Sequence, residues 1–113
     1  MKLNPPDKNI LRGNLDLILL SILESGEKYG LQIISEARVR TDGYFEFKEG
    51  SLYPALHRLE KAKLVRAEFR PSDTGGPRRR YYQLTNAGKK ALERKREDFD
   101  TFNRKVKALW EGS

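Results

Sequence analysis

Apolar positions in this chain gather into three helical blocks, two alternating segments and one long, sparse stripe. From Asn14 to Glu24, Leu15, Leu17, Ile18, Leu19, Leu20, Ile22 and Leu23 cover nearly the whole circumference. A helix apolar all round is a buried helix; Gly13 or Asn14 suits its start and Gly26 its end. A second helix is expected from Lys28 to about Arg40, with Leu31, Ile34 and Arg38 on one face and Ile33 and Ala37 widening the stripe. Thr41-Asp42-Gly43 is a turn signal, and Tyr44-Phe45-Glu46-Phe47 alternates as a brief strand would. A third helix is expected from Ser51 to Lys63, where Leu52, Ala55, Leu56 and Leu59 recur at the helical period. Ser51 suits its N-cap, which would put Pro54 in the first turn, where a missing N–H costs little.

The pattern then changes period. Leu64 to Arg70 reads as a strand with Val65, Ala67 and Phe69 on one face, and Pro71 to Pro77 as a turn. In a return strand from Arg78 to Leu84, Arg80, Tyr82 and Leu84 alternate against Arg79, Tyr81 and Gln83. Two strands about a Gly-Gly-Pro tip predict a β-hairpin. Thr85 or Asn86 would cap a last helix reaching towards Trp110. Its stripe is a heptad, with Leu92, Phe99 and Val106 at a and Phe102 and Leu109 at d, interrupted by Lys95. So narrow a seam has no obvious cover within one small domain, and a second copy is the natural cover.

Three helices followed by a hairpin is the order of a winged helix-turn-helix. The expected class is α+β, mainly helical, with a two-stranded wing and a long C-terminal dimerisation helix. Residues 1–9, containing Pro5-Pro6, read as a flexible arm, 10–84 as the winged domain and 85–113 as the dimerisation helix.

Charge sharpens this picture. The 113 residues carry a formal charge of +7, and 37% are hydrophobic against 35% charged. A basic chain of this kind favours polyanionic partners. The third helix carries donor-rich side chains off its apolar face, namely Ser51, Tyr53, His57, Arg58 and Lys61. Such groups contact phosphates and base edges. Arg78, Arg79 and Arg80 follow the hairpin tip, where arginine forks match phosphate. Tyr29-Gly30 opens the second helix, and helix N-termini attract phosphate. Each feature has a plainer reading: an arginine run is usually solvated, His57 is equally a surface residue, and Tyr53 or Tyr29 can be packing groups.

Other chemistries find little support. With no cysteine and one histidine, thiolate metal sites, disulfides and Cys nucleophiles are excluded and a catalytic site has little to build with. No cofactor and no metal are expected. No apolar run approaches the roughly 20 residues that span a bilayer, so no membrane association and a cytoplasmic location are the default.

Several segments together resemble the PadR-like transcriptional regulators of prokaryotes. They are Leu17 to Leu23, Tyr29-Gly30, Gly50 to Glu60, Gly75 to Thr85, and Gly88. The resemblance spans residues from about 10 to 110. Its most specific parts are Leu-Tyr-Pro-Ala-Leu-His-Arg-Leu-Glu and Arg-Tyr-Tyr-x-Leu-Thr. It implies a homodimer whose C-terminal helix swaps onto the partner, and double-stranded DNA contact through Ser51, Tyr53, Pro54, His57 and Arg58 and through Arg78 to Arg80, with Tyr29 on the backbone. It further implies inverted-repeat operators, commonly of an ATGT/ACAT type, a repressor's role, and a dimer cavity that takes flat hydrophobic effectors. Phe99 falls near the aromatic that lines such cavities, where related proteins carry tryptophan. The dimer or effector cavity is expected from Leu17, Leu92, Phe99, Phe102, Val106, Leu109 and Trp110, and the single C-terminal helix matches the short subgroup. The competing reading is a winged-helix module that binds protein, whose marks would be an uncharged wing and an apolar outer face on the third helix. RNA binding is a weaker rival.

Overall fold

The computed structural model describes residues 4–72 and 74–112. In chain order its elements are α1 (Lys8–Gly13), α2 (Leu15–Leu23), β1 (Lys28–Tyr29), α3 (Gly30–Arg40), α4 (Glu49–Lys61), β2 (Val65–Arg70), β3 (Arg79–Leu84) and α5 (Asn86–Glu111). Residues 1–3 of the expected arm lie outside the described residues. Lys8 and Asn9 are not arm but α1, because the Asp7 carboxylate caps that helix by accepting from the N–H groups of Asn9 (2.9 Å) and Ile10 (3.2 Å).

Leu19, Leu20, Ile33, Leu52, Leu56, Leu59, Val65 and Leu92 are the most deeply buried members of one core. The apolar excess of α2 has two destinations. Leu19, Leu20, Ile22 and Leu23 enter this core, whereas Leu17 and Ile18 stay half-buried on the other side. On α3 the buried face is Gly30, Ile33 and Ala37. Of the expected Leu31–Ile34–Arg38 face, Ile34 packs against the core at its edge, whereas Leu31 and Arg38 are exposed, Leu31 by 51%. The helix starts two residues later than expected because Lys28 and Tyr29 pair with Tyr82 and Tyr81 as a third, antiparallel strand. The sheet order is β1-β3-β2.

Tyr44 to Phe47 does not form a strand. Phe47 is buried and Phe45 packs against the core, and the Phe45 N–H is held by the Thr41 hydroxyl at 3.0 Å. Core packing of both aromatics takes the place of the alternation that a strand would need.

Helix α4 begins at Glu49, with Lys48 in the N-cap position and no side-chain cap. Ser51 is therefore its third residue and Pro54 lies in the second turn, not the first. An interior proline forfeits the bond to the carbonyl four residues back. That carbonyl belongs to Gly50, and Gly50 and Pro54 are both exposed. The helix ends in a Schellman closure: Leu64 N–H bonds Leu59 O at 3.0 Å and Lys63 N–H bonds Glu60 O at 2.9 Å. Lys63 takes the left-handed position, φ 63°.

The hairpin pairs Val65 with Leu84 through Arg70 with Arg79. Its far end then feeds α5 through a tight corner. The Thr85 hydroxyl accepts from Gly88 N–H (3.0 Å) and donates to Lys63 O (2.7 Å). Gly88 is required here, since any Cβ would run into the Leu64 carbonyl. One turn on, Leu92 is buried in the chain's own core, which corrects its expected place on a dimer seam. Arg96 grips both carboxylate oxygens of Glu24 at 2.7 and 2.9 Å. Beyond Arg96 the helix extends outward with Phe102, Leu109 and Trp110 exposed.

Candidate nucleic-acid interface

Opposite the buried Leu52, Ala55, Leu56 and Leu59, helical geometry places Gly50, Pro54, His57 and Lys61 in one outward stripe. All four are exposed. The other polar groups of α4 occupy its flanks, and each flank meets a neighbour. Tyr53 lies against the start of α3, its phenol over the space where a Gly30 side chain would begin. Partial burial first, and the Glu49 carboxylate second, push the Tyr53 phenol pKa upward, so the phenol stays a donor. On the opposite flank Arg58 forms an ion pair with Asp16 of α2. Glu60, on the side facing the sheet, receives Arg80.

The three wing arginines separate in the same way. Arg78 is exposed. Arg79 lies with its guanidinium 4.2 Å from the Tyr29 ring centre. Tyr29 in turn meets Tyr81 edge-on at 5.4 Å. Arg80 turns inward: it donates to Glu60 at 2.5 Å and covers the rings of Phe69 (5.5 Å) and Tyr82 (5.8 Å). Arg70 is engaged too, by Glu27, by Glu68 at 3.1 Å and by the Tyr81 ring at 5.6 Å.

Of the residues expected to meet nucleic acid, Pro54, His57 and Lys61 share the outward stripe of α4 and Arg78 is exposed on the wing, whereas Arg79 is half-buried over Tyr29 on the sheet face opposite Arg80. Ser51 is exposed on the flank towards α2. Tyr29 and Tyr53 combine partial exposure with packing roles, whereas Arg58 and Arg80 are held by carboxylates. Sequence reading missed those carboxylates, Asp16 and Glu60. Their partners lie 42 and 20 positions away, and no local spacing announces such pairs.

A second feature lies beside the middle of α5. Ile10, Leu17, Ile18, Tyr44, Phe45 and Phe99 surround an open apolar groove of about 490 Å³. It continues into a wider cleft of about 700 Å³ that Phe102 lines, with Asp16 and Arg58 at its edge. Leu17 and Phe99 border both. Among the described residues, no His, Cys, Asp or Glu cluster could hold a metal ion, and no helix is long and apolar enough to cross a membrane.

A helix-turn-helix head, a hairpin wing beside its third helix and a long trailing helix define a winged-helix protein of the regulator class. The chain belongs to the PadR-like family of transcriptional regulators, which matches residues 19–94. It is 35% identical to the transcriptional regulator Rv3488 of Mycobacterium tuberculosis over 84% of each chain. A PadR family transcription regulator of Clostridium difficile superposes with a TM-score of 0.74 at 35% identity, over 87% of this chain and 99% of that one. Bacillus subtilis PadR in complex with operator DNA superposes with a TM-score of 0.63 at 25% identity, over 70% of this chain and 44% of that longer one.

Proposed function

We propose that the protein is a homodimeric DNA-binding repressor that reads an inverted-repeat operator through α4 and the wing. The observation that carries this reading is the exposed stripe of Pro54, His57 and Lys61 on α4, with Arg78 exposed on the wing, on a chain of charge +7. Phosphate contacts from lysine and arginine supply most of the affinity, and Tyr53 and His57 stand where base edges would be read. The likeness to a PadR protein solved on operator DNA supports the same reading.

The dimer is supported by apolar surface that one chain leaves open. Phe102, Leu109 and Trp110 on α5 are 70%, 85% and 68% exposed. A second copy's tail suits the groove beside Leu17 and Phe99, and an apolar effector suits the same lining. Since α5 sets the separation of two reading heads, an effector beside Phe99 would change operator fit.

Gel shifts against sequences selected from a random duplex pool, run beside sedimentation, test this reading. A dimer that prefers an inverted repeat is expected, and Phe99→Ser with Phe102→Ser should yield monomers with weak operator binding. An intact dimer for that variant would refute the α5 interface. Arg79→Ala should weaken selected and random duplexes alike and reduce the salt slope by about one; a loss confined to the selected duplex would refute the phosphate role.

A further inference from the structure

We infer that Glu60 and Arg80 form a positioning clamp that fixes the angle between the wing and α4, and that this clamp sets sequence discrimination without touching DNA. Glu60 is a carboxylate on the helix assigned to a polyanion. Taken alone it opposes binding, and removing it should strengthen the grip on any duplex. The structure gives it another task. Its Oε1 accepts from Arg80 Nη2 at 2.5 Å, linking the last turn of α4 to the second residue of β3. The Arg80 guanidinium also lies near the Phe69 and Tyr82 rings, and its Nε is buried without a hydrogen-bond partner. An arginine reaching for phosphate must present its fork outward; this one is turned into the angle between helix and sheet. Arg79, one residue earlier on the opposite face of β3, is half-buried over Tyr29, and Arg78 is exposed. The arginines of one triplet therefore have different duties, the exposed Arg78 on the duplex and Arg80 on the protein.

The consequence follows from geometry. Base reading by α4 and backbone contact by the wing must occur on one duplex at a fixed relative angle. A clamp between them matters for a site that uses both contacts in register, and hardly for a random duplex that uses whichever contacts are available. The inference rests on the proposed assignment of α4 and the wing to one duplex.

The test uses the full-length protein and two probes: a duplex selected by the wild-type protein from a random pool, and a random duplex of equal length. For Glu60→Gln, the clamp requires opposite responses. Affinity for the random duplex holds or rises, and affinity for the selected duplex falls roughly tenfold, the scale of coupling lost from a networked ion pair. If both rise by the same factor, Glu60 acts by repulsion alone and the clamp is overturned. Arg80→Ala should leave the salt slope of binding at the wild-type value; a slope reduced by about one would make Arg80 a phosphate contact and overturn the clamp as well. The exchange Glu60→Arg with Arg80→Glu keeps net charge, and recovery of the wild-type preference for the selected duplex supports the clamp. A wild-type protein that enriches no sequence would instead remove the DNA-reading assignment, and the clamp with it.

Discussion

The phenol of Tyr53 occupies the space into which a side chain at Gly30 would grow. This contact joins α4 to the first turn of α3, and it explains why a glycine opens α3 where alanine has the better helix propensity. Gly30→Ala should therefore destabilise the protein by about 1–3 kcal/mol through overpacking. In a Tyr53→Ser background the same change should be neutral or stabilising, because the colliding ring is gone. Urea unfolding of the four proteins measures this; an equal loss in both backgrounds would remove the contact as its cause.

Lys63 closes α4 with φ 63°, a conformation that costs most L-residues about 1 kcal/mol and glycine almost nothing. Lys63→Gly is expected to raise stability by about 1 kcal/mol, and Lys63→Val to lower it. The check is a shift of the denaturant midpoint with the slope unchanged.

Glu24 sits at the end of α2 with both oxygens bonded to Arg96 of α5. Hydrogen bonds from Arg96 lead the causes that hold its carboxyl below the ordinary value of 4.5. A depressed carboxylate contributes stability above its unfolded pKa and loses it as pH falls through the folded one. Wild type should thus exceed Glu24→Gln in stability at neutral pH, and the gap should close as the solution is acidified below pH 4.5. Because the pair is exposed, the gap should also shrink in high salt. A gap that persists in acid would rule out the ion pair as its source.

Trp110 is the sole tryptophan and is 68% exposed in one chain. Seated in a partner's groove it would emit at shorter wavelength than in water. Dilution through the dimer's dissociation constant should move its emission to longer wavelength, in step with sedimentation. A dimer whose tryptophan emits as in water throughout would keep the dimer and exclude the tail from the groove.

The helices and hairpin were legible because each repeats its apolar positions at its own period. Strand β1 was not, since two residues are too few to show a period; Tyr29 pairs only because Tyr81 arrives from a distant strand. The start of α4 was misplaced because Ser51 is a better cap by type than Lys48, yet the Lys48 carbonyl already accepts from the Ser51 and Leu52 N–H groups at 3.0 Å, so the helix begins earlier. The outward stripe with His57 and Lys61 followed from helical spacing. What could not be read was which arginines are engaged, since Arg58 and Arg80 are decided by Asp16 and Glu60 across the fold.

Strand β1 stitches the front of α3 onto the same sheet that carries the hairpin. Head and wing are thereby built as one stiff jaw and not as a hand with a loose finger. On the proposed reading of one duplex by α4 and the wing, a stiff jaw leaves accommodation to what it bites: the duplex would have to curve or narrow to fit. Sequences that flex cheaply would then be favoured even at base pairs no side chain reaches.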